Sequence, residues 1–161
     1  FGDFRRGYLV VDRTGVRILR DYDVSLPDIP ADRDQLIQVL LNLMRNAIQA
    51  LLESGTEDAQ VLLRTRVLRQ FTIGSTRHRL VLRVDIEDNG PGIPEELRET
   101  LFYPMVSGRA NGSGLGLSIA QSIISQHQGL IECDSEPGRT LFSLLLPMEL
   151  PEANSATSVP A

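Results

Sequence analysis

Between Arg33 and Glu53 apolar side chains recur at helical spacing: Leu36, Leu40, Leu43, Ala47 and Leu51 form one stripe, with Ile37, Leu41, Met44 and Ile48 beside it. An apolar surface so wide predicts a helix that is mostly buried. Asp32, at the end of the proline-punctuated loop "SLPDIPADRD", is placed to cap its N-terminus. Around this helix the alternation has the period of strands. "VRILRDYD" before it predicts one strand, and "AQVLLRTRVLRQF" and "HRLVLRVDIED" after it predict two, joined by a turn around "TIGST". "DNGPGIP", from Asp88 to Pro94, is a tight turn. "EELRETLFYPM" predicts a short helix stopped at Pro104, and a helix from Leu115 to about His127 is expected to end on Gly129 as C-cap. "LIECD" and "TLFSLLLP" complete the pattern as a hairpin turned by "SEPGR". Strand, helix, two strands, helices, two strands predicts an α/β sandwich, a mixed and mostly antiparallel sheet with helices on one face.

Composition narrows the class without naming a chemistry. The 161 residues suit one domain, and 42% hydrophobic with 23% charged residues is ordinary for a globular chain. No apolar run approaches the ~20 residues that span a membrane. A net charge of -5 disfavours a nucleic-acid surface as the main business. One cysteine, Cys133, excludes an internal disulfide and fits a reducing, cytoplasmic setting. The first residue is Phe, so the chain is expected to be a piece of a longer protein, with residues 1–15 unassigned, a domain over 16–148 and a disordered tail over 149–161.

The stretch "GRANGSGLGLSIA" puts four glycines within nine residues and then enters a helix, an arrangement suited to holding phosphate. Familiar phosphate motifs do not fit. All sixteen basic residues are Arg, so there is no Walker Lys and no β3 Lys of the eukaryotic-type protein kinases. A dinucleotide fingerprint would need a glycine at Leu117 or Ile119.

Four clusters remain: Asn42 and Asn46 with Ala47 on the long helix, "DNGPGIP" after a strand, "LFYPM", and "GSGLGLS". In this order they resemble the N, G1, F and G2 boxes of the ATP-binding (Bergerat) fold shared by histidine kinases, gyrase-type topoisomerases, Hsp90-type chaperones and MutL-type repair proteins. The resemblance covers roughly Val16 to Pro147. It implies ATP and Mg²⁺ as ligands, with Asn46 on the metal and Asn42 one helical turn away. It also implies that Asp88 accepts from the adenine amino group, and that Gly90, Gly92 and Ile93 form the turn along the base. Thr140 would contact the adenine side. The loop from Phe102 to Gly114 becomes the ATP lid, with Arg109 as the candidate cation for the terminal phosphates. Gly112, Gly114, Leu115, Gly116 and Leu117 would carry phosphate-binding N–H groups at the helix start.

Relatives that hydrolyse ATP carry a glutamate one turn before the metal-binding Asn, where it acts as general base. Here that position is Asn42. The pattern resembles the kinases, whose nucleophile is a histidine on a separate helical dimerisation domain. Neither His78 nor His127 lies in such a phosphoacceptor box, so the chain alone is not expected to autophosphorylate. "LFYPMVSGR", "NLMRNAIQAL" and "EDNGPGIP" are most similar to the nitrogen-regulation sensor kinases, which implies an NtrC-type response regulator as partner and leaves room for a P-II-type regulator. A fold-related ATPase and a nucleotide-free partner-binding module stay open as alternatives.

Overall fold

The computed structural model describes residues 10–11, 15–102 and 116–148. Expectations for most of residues 1–15, the Pro104 helix stop, the bulk of the lid and the tail over 149–161 lie outside these. The described residues form one six-stranded sheet with three helices. In chain order they are β1 (Val10–Val11), β2 (Arg17–Asp21), α1 (Arg33–Ser54), β3 (Gln60–Ile73), β4 (Thr76–Asp88), α2 (Glu95–Arg98), α3 (Gly116–Gln126), β5 (Leu130–Glu136) and β6 (Arg139–Pro147). The spatial order is β1-β2-β3-β4-β6-β5. Among the described residues only the β2 and β3 pair is parallel, because α1 serves as its crossover. The mixed, mostly antiparallel sheet of the sequence pattern is thus present, with Val10–Val11 as an extra edge.

α1 begins where its cap predicts: the Asp32 carboxylate accepts from the Gln35 N–H at 3.1 Å. Val39, Leu43, Ala47 and Leu51 are its buried stripe. They meet Ala120, Ile123 and Ile124 of α3 over a sheet face formed by Val61, Leu82, Ile86, Ile131, Phe142, Leu144 and Leu146. The second apolar stripe is less buried than its composition predicts. Ile37 and Leu41 are 41% and 47% exposed, because the sheet and α3 cover only one side of α1.

α3 ends differently from expectation. Gln128, not Gly129, takes the left-handed conformation, with φ 59°. Gly129 is needed for space, since a Cβ there would run into the Leu145 carbonyl of β6. Beside this end the Asp32 N–H donates to His127 Nε2 at 3.0 Å, so that nitrogen is unprotonated. Nδ1 therefore carries the proton and donates to the Ile123 carbonyl at 2.8 Å. His127 thereby ties the start of α1 to the end of α3. His127→Ala is expected to cost about 1 kcal/mol of stability, read as a lower urea midpoint with an unchanged slope.

The opposite sheet face is a ladder of paired charges. Asp85, 4% exposed, accepts from Arg83 Nε at 2.9 Å and Ser143 Oγ at 2.8 Å. Arg66 lies 2.7 Å from Asp21 and, with Arg64, holds its carboxyl below the usual carboxylate range. Beyond Gln70, whose φ of 53° breaks the extended backbone, Phe71 and Ile73 pack with Leu68, Val81 and Leu145 as a second, small core.

Candidate nucleotide site

The end of β4 sets the site. Asp88 lies two residues beyond the core residue Ile86, so strand alternation puts its side chain on the helix-bearing face. Thr140 is opposite Asp88 on β6, and Ser135 is opposite Thr140 on β5. A row of three polar side chains therefore crosses three adjacent strands, at 6%, 5% and 4% exposure. Asp88 Oδ1 accepts from the Gly90 N–H at 2.9 Å, which bends the chain into the turn that follows.

That turn is docked on the β5–β6 hairpin by three contacts. The Gly138 N–H donates to the Gly90 carbonyl at 3.0 Å, and the Ile93 N–H donates to Ser135 Oγ at 2.8 Å. Gly92, with φ 88°, lies so close to the Glu136 carbonyl that a Cβ would fall 2.6 Å from its oxygen. A Cβ on Gly90 would fall 2.8 Å from Asp88 Oδ1 and 3.4 Å from Leu51 of α1. Both glycines thus serve contacts inside the protein: one seats the turn, and the other leaves room for the Asp88 carboxylate against α1.

Asn42 and Asn46 are half-buried on α1, one turn apart. Each has polar interactions of its own. Leu117, in the first turn of α3, is partly buried against the core, and Gly116 is that helix's first residue. Arg109, Gly112, Gly114 and Leu115 lie outside the described residues. Phe102, at the start of the expected lid, meets Phe142 edge to face at 6.3 Å between ring centroids. Of the site residues named from sequence, the structure brings Asp88, Gly90, Gly92, Ile93 and Thr140 into one cluster.

Ser135 was not among the residues expected there; "SEPGR" predicts only a turn, whereas the turn itself narrows to Pro137 and Gly138. The signal that could have found it is alternation with Ile131 and Cys133 along β5. Cys133, on the same face, is half-buried, and burial pushes its thiol up to about 11, so it is a neutral wall rather than a nucleophile. The cluster offers a carboxylate and two hydroxyls in a largely apolar setting. One acceptor and two hydroxyls can pair with a neutral polar edge, whereas the carboxylate repels an anion such as phosphate.

Residues 31–150 match the family described as histidine kinase-, DNA gyrase B-, and HSP90-like ATPase. The sensory histidine kinase/phosphatase NtrB of Klebsiella oxytoca is 59% identical over 133 residues, covering 83% of this chain and 37% of that protein. The chain therefore spans little more than a third of such a relative. Among solved structures, the catalytic domain of histidine kinase ThkA superposes with a TM-score of 0.69 at 29% identity, covering 84% of this chain and 81% of that one. Full-length ShkA, solved in complex with AMPPNP, gives 0.66 at 28% identity over 86% of this chain and 27% of that one.

Proposed function

From the premise that this chain belongs to the histidine kinase-, DNA gyrase B-, and HSP90-like ATPase family, we infer that it is the ATP-binding catalytic domain of a nitrogen-regulation sensor kinase. The domain occupies residues 16–148 and holds ATP for transfer of its γ-phosphoryl group to a histidine on a separate dimerisation domain. The phosphoryl group then passes to an NtrC-type response regulator, and a P-II-type protein is a candidate regulator. The setting is cytoplasmic; among the described residues no helix is long and apolar enough to cross a membrane.

The observation that carries the nucleotide assignment is the buried row Asp88, Thr140 and Ser135 under the turn from Asn89 to Ile93. Asp88 accepts from the adenine amino group, and Thr140 faces the ring beside it. Asn46, with Asn42 one turn before it, fits a Mg²⁺ that arrives on the nucleotide. Among the described residues no group of three or more His, Cys, Asp or Glu could cage a metal, and Mg²⁺ on phosphate needs only one or two protein oxygens. When bound, the ion supplies charge neutralisation for the phosphates.

Everything else the chain contributes is positioning. α1 and α3 hold the amides and the helix N-terminus where phosphates collect, and Arg109 and the N–H groups from Gly114 to Leu117 share their charge. Asn42 stands where a hydrolase needs a carboxylate, so the domain binds ATP without activating water. The test is to mix this chain and Mg²⁺-ATP with the helical domain of an NtrB. Acid-labile phosphate is expected on that domain's histidine, at a rate that Asn46→Ala lowers at least about 100-fold. Steady hydrolysis with no transfer would replace the kinase by an ATPase.

A further inference from the structure

No acidic residue lies between Asp58 and Asp85, yet that stretch carries six of the sixteen Arg, namely Arg64, Arg66, Arg69, Arg77, Arg79 and Arg83, together with His78. The rest of the chain has ten Arg against twenty-one acidic residues. A chain of acidic balance thus gathers a block of positive charge on one hairpin, β3 and β4.

The six are not alike. Arg64 and Arg66 pair with Asp21, and Arg83 pairs with Asp85. Arg69, Arg77 and Arg79 are exposed, and among the described residues no carboxylate lies within ion-pair distance of any of them. They sit where the hairpin outruns the sheet, since β2 accompanies β3 only to Arg64 and β6 accompanies β4 only to Val81. A two-stranded ribbon by itself is marginal in water. This one has an apolar footing, because Phe71 and Ile73 pack with Leu68, Val81 and Leu145, and Arg77 Nε donates to Gln70 Oε1 at 3.1 Å. Like charges set close together repel, and a surface that needs only solubility mixes its signs. A preformed arm of one sign is complementary to an acidic surface.

We propose that this arm is a docking surface for an acidic segment of a partner protein, with Arg69, Arg77 and Arg79 as the residues that recognise its carboxylates. A protein fits the arm better than other polyanions do. A nucleic-acid duplex or an anionic bilayer extends past the arm and meets the acidic surplus of the remaining chain. A peptide segment matches the arm alone, and guanidinium forks take carboxylates with two bonds each. Arg79 lies nine residues along β4 from Asp88, roughly 30 Å at strand spacing. A partner held there neither needs nor blocks ATP, so the inference does not rest on the nucleotide assignment.

The experiment uses the whole chain and, as probe, a fluorescent peptide of about fifteen residues rich in Glu and Asp, read by anisotropy. Saturable binding is expected, weakening as salt is raised. Arg69→Glu combined with Arg79→Glu lowers the affinity at least about 10-fold and leaves Mg²⁺-ATP binding unchanged. Arg69→Ala with Arg79→Ala, at about 5-fold, serves if the reversal does not fold. The control for net charge is the same reversal at two exposed positions of α1, Arg33→Glu with Arg45→Glu, which changes peptide binding less than about 2-fold. Equal losses in the arm and α1 reversals overturn the proposal, as does the lack of saturable binding by the unaltered chain. Tighter binding of a short DNA duplex, or of phosphatidylserine vesicles, than of the peptide would overturn a protein as the occupant.

Discussion

Asp88→Asn is expected to lower ATP affinity about 100-fold while leaving the fold in place. The two halves of that expectation come from different oxygens. Oδ1 accepts from the Gly90 N–H at 2.9 Å, and an asparagine carbonyl can keep that bond, so the turn stays closed. The other oxygen becomes an NH₂ group. Toward an adenine amino group this replaces a charged acceptor with a second donor. Losing a charge-assisted bond and facing two donors together costs about 2.7 kcal/mol, which is the 100-fold. Calorimetry gives the affinity, and a melting curve within a few degrees of the parent separates the effect from unfolding. Equal affinity in the variant would remove Asp88 from the base.

Gly92→Ala is expected to be the most destabilising single substitution in the turn, by about 3–4 kcal/mol. The left-handed φ of 88° costs an alanine roughly 1–2 kcal/mol. The remainder is overlap, since the new Cβ would fall 2.6 Å from the Glu136 carbonyl oxygen, and backbone on both sides must move. For a domain of this size that is a fall in Tm of roughly 10 °C. Gly138→Ala is the internal control. Its φ is 91°, but nothing lies within 4 Å of the added Cβ, so only the conformational cost applies. Because the Gly92 turn carries Ile93 to Ser135, undocking it also weakens ATP binding. If Gly92→Ala and Gly138→Ala melt together, the close approach to Glu136 contributes nothing.

What could be seen in the sequence divides along the range of the forces involved. α1 was legible almost to the residue, since its cap at Asp32 and its 3.6-residue period are local. So was the order of strands, and so was Asp88 as the residue that closes one of them. The hairpin of β3 and β4 runs farther than its pattern suggests, to Ile73 and Thr76, because its tip is extended by mutual pairing and by the small core around Val81. The expected helix from Glu95 shortens to Arg98 and continues as turns to Phe102. How much of α1 is buried could not be read from α1, as Ile37 and Leu41 show; that depends on what lies across from them.

Within the site, the boxes were legible as residue types at recognisable spacing, but their joints were not. Gly90 and Gly92 looked like freedom granted for a ligand, whereas their immediate neighbours are the Asp88 carboxylate and the Glu136 carbonyl. Ser135 looked like part of a turn because its importance arises from register: only pairing of β6 with both β4 and β5 sets it beside Thr140 and within reach of Ile93. Contacts between residues 42 and more positions apart leave no periodic trace in the chain.

A single calorimetric titration of the unaltered protein tests whether this chain alone holds Mg²⁺-ATP. Saturable binding at one site per chain is expected, complete below millimolar nucleotide. No heat of binding at millimolar Mg²⁺-ATP, with the protein folded, would contradict it.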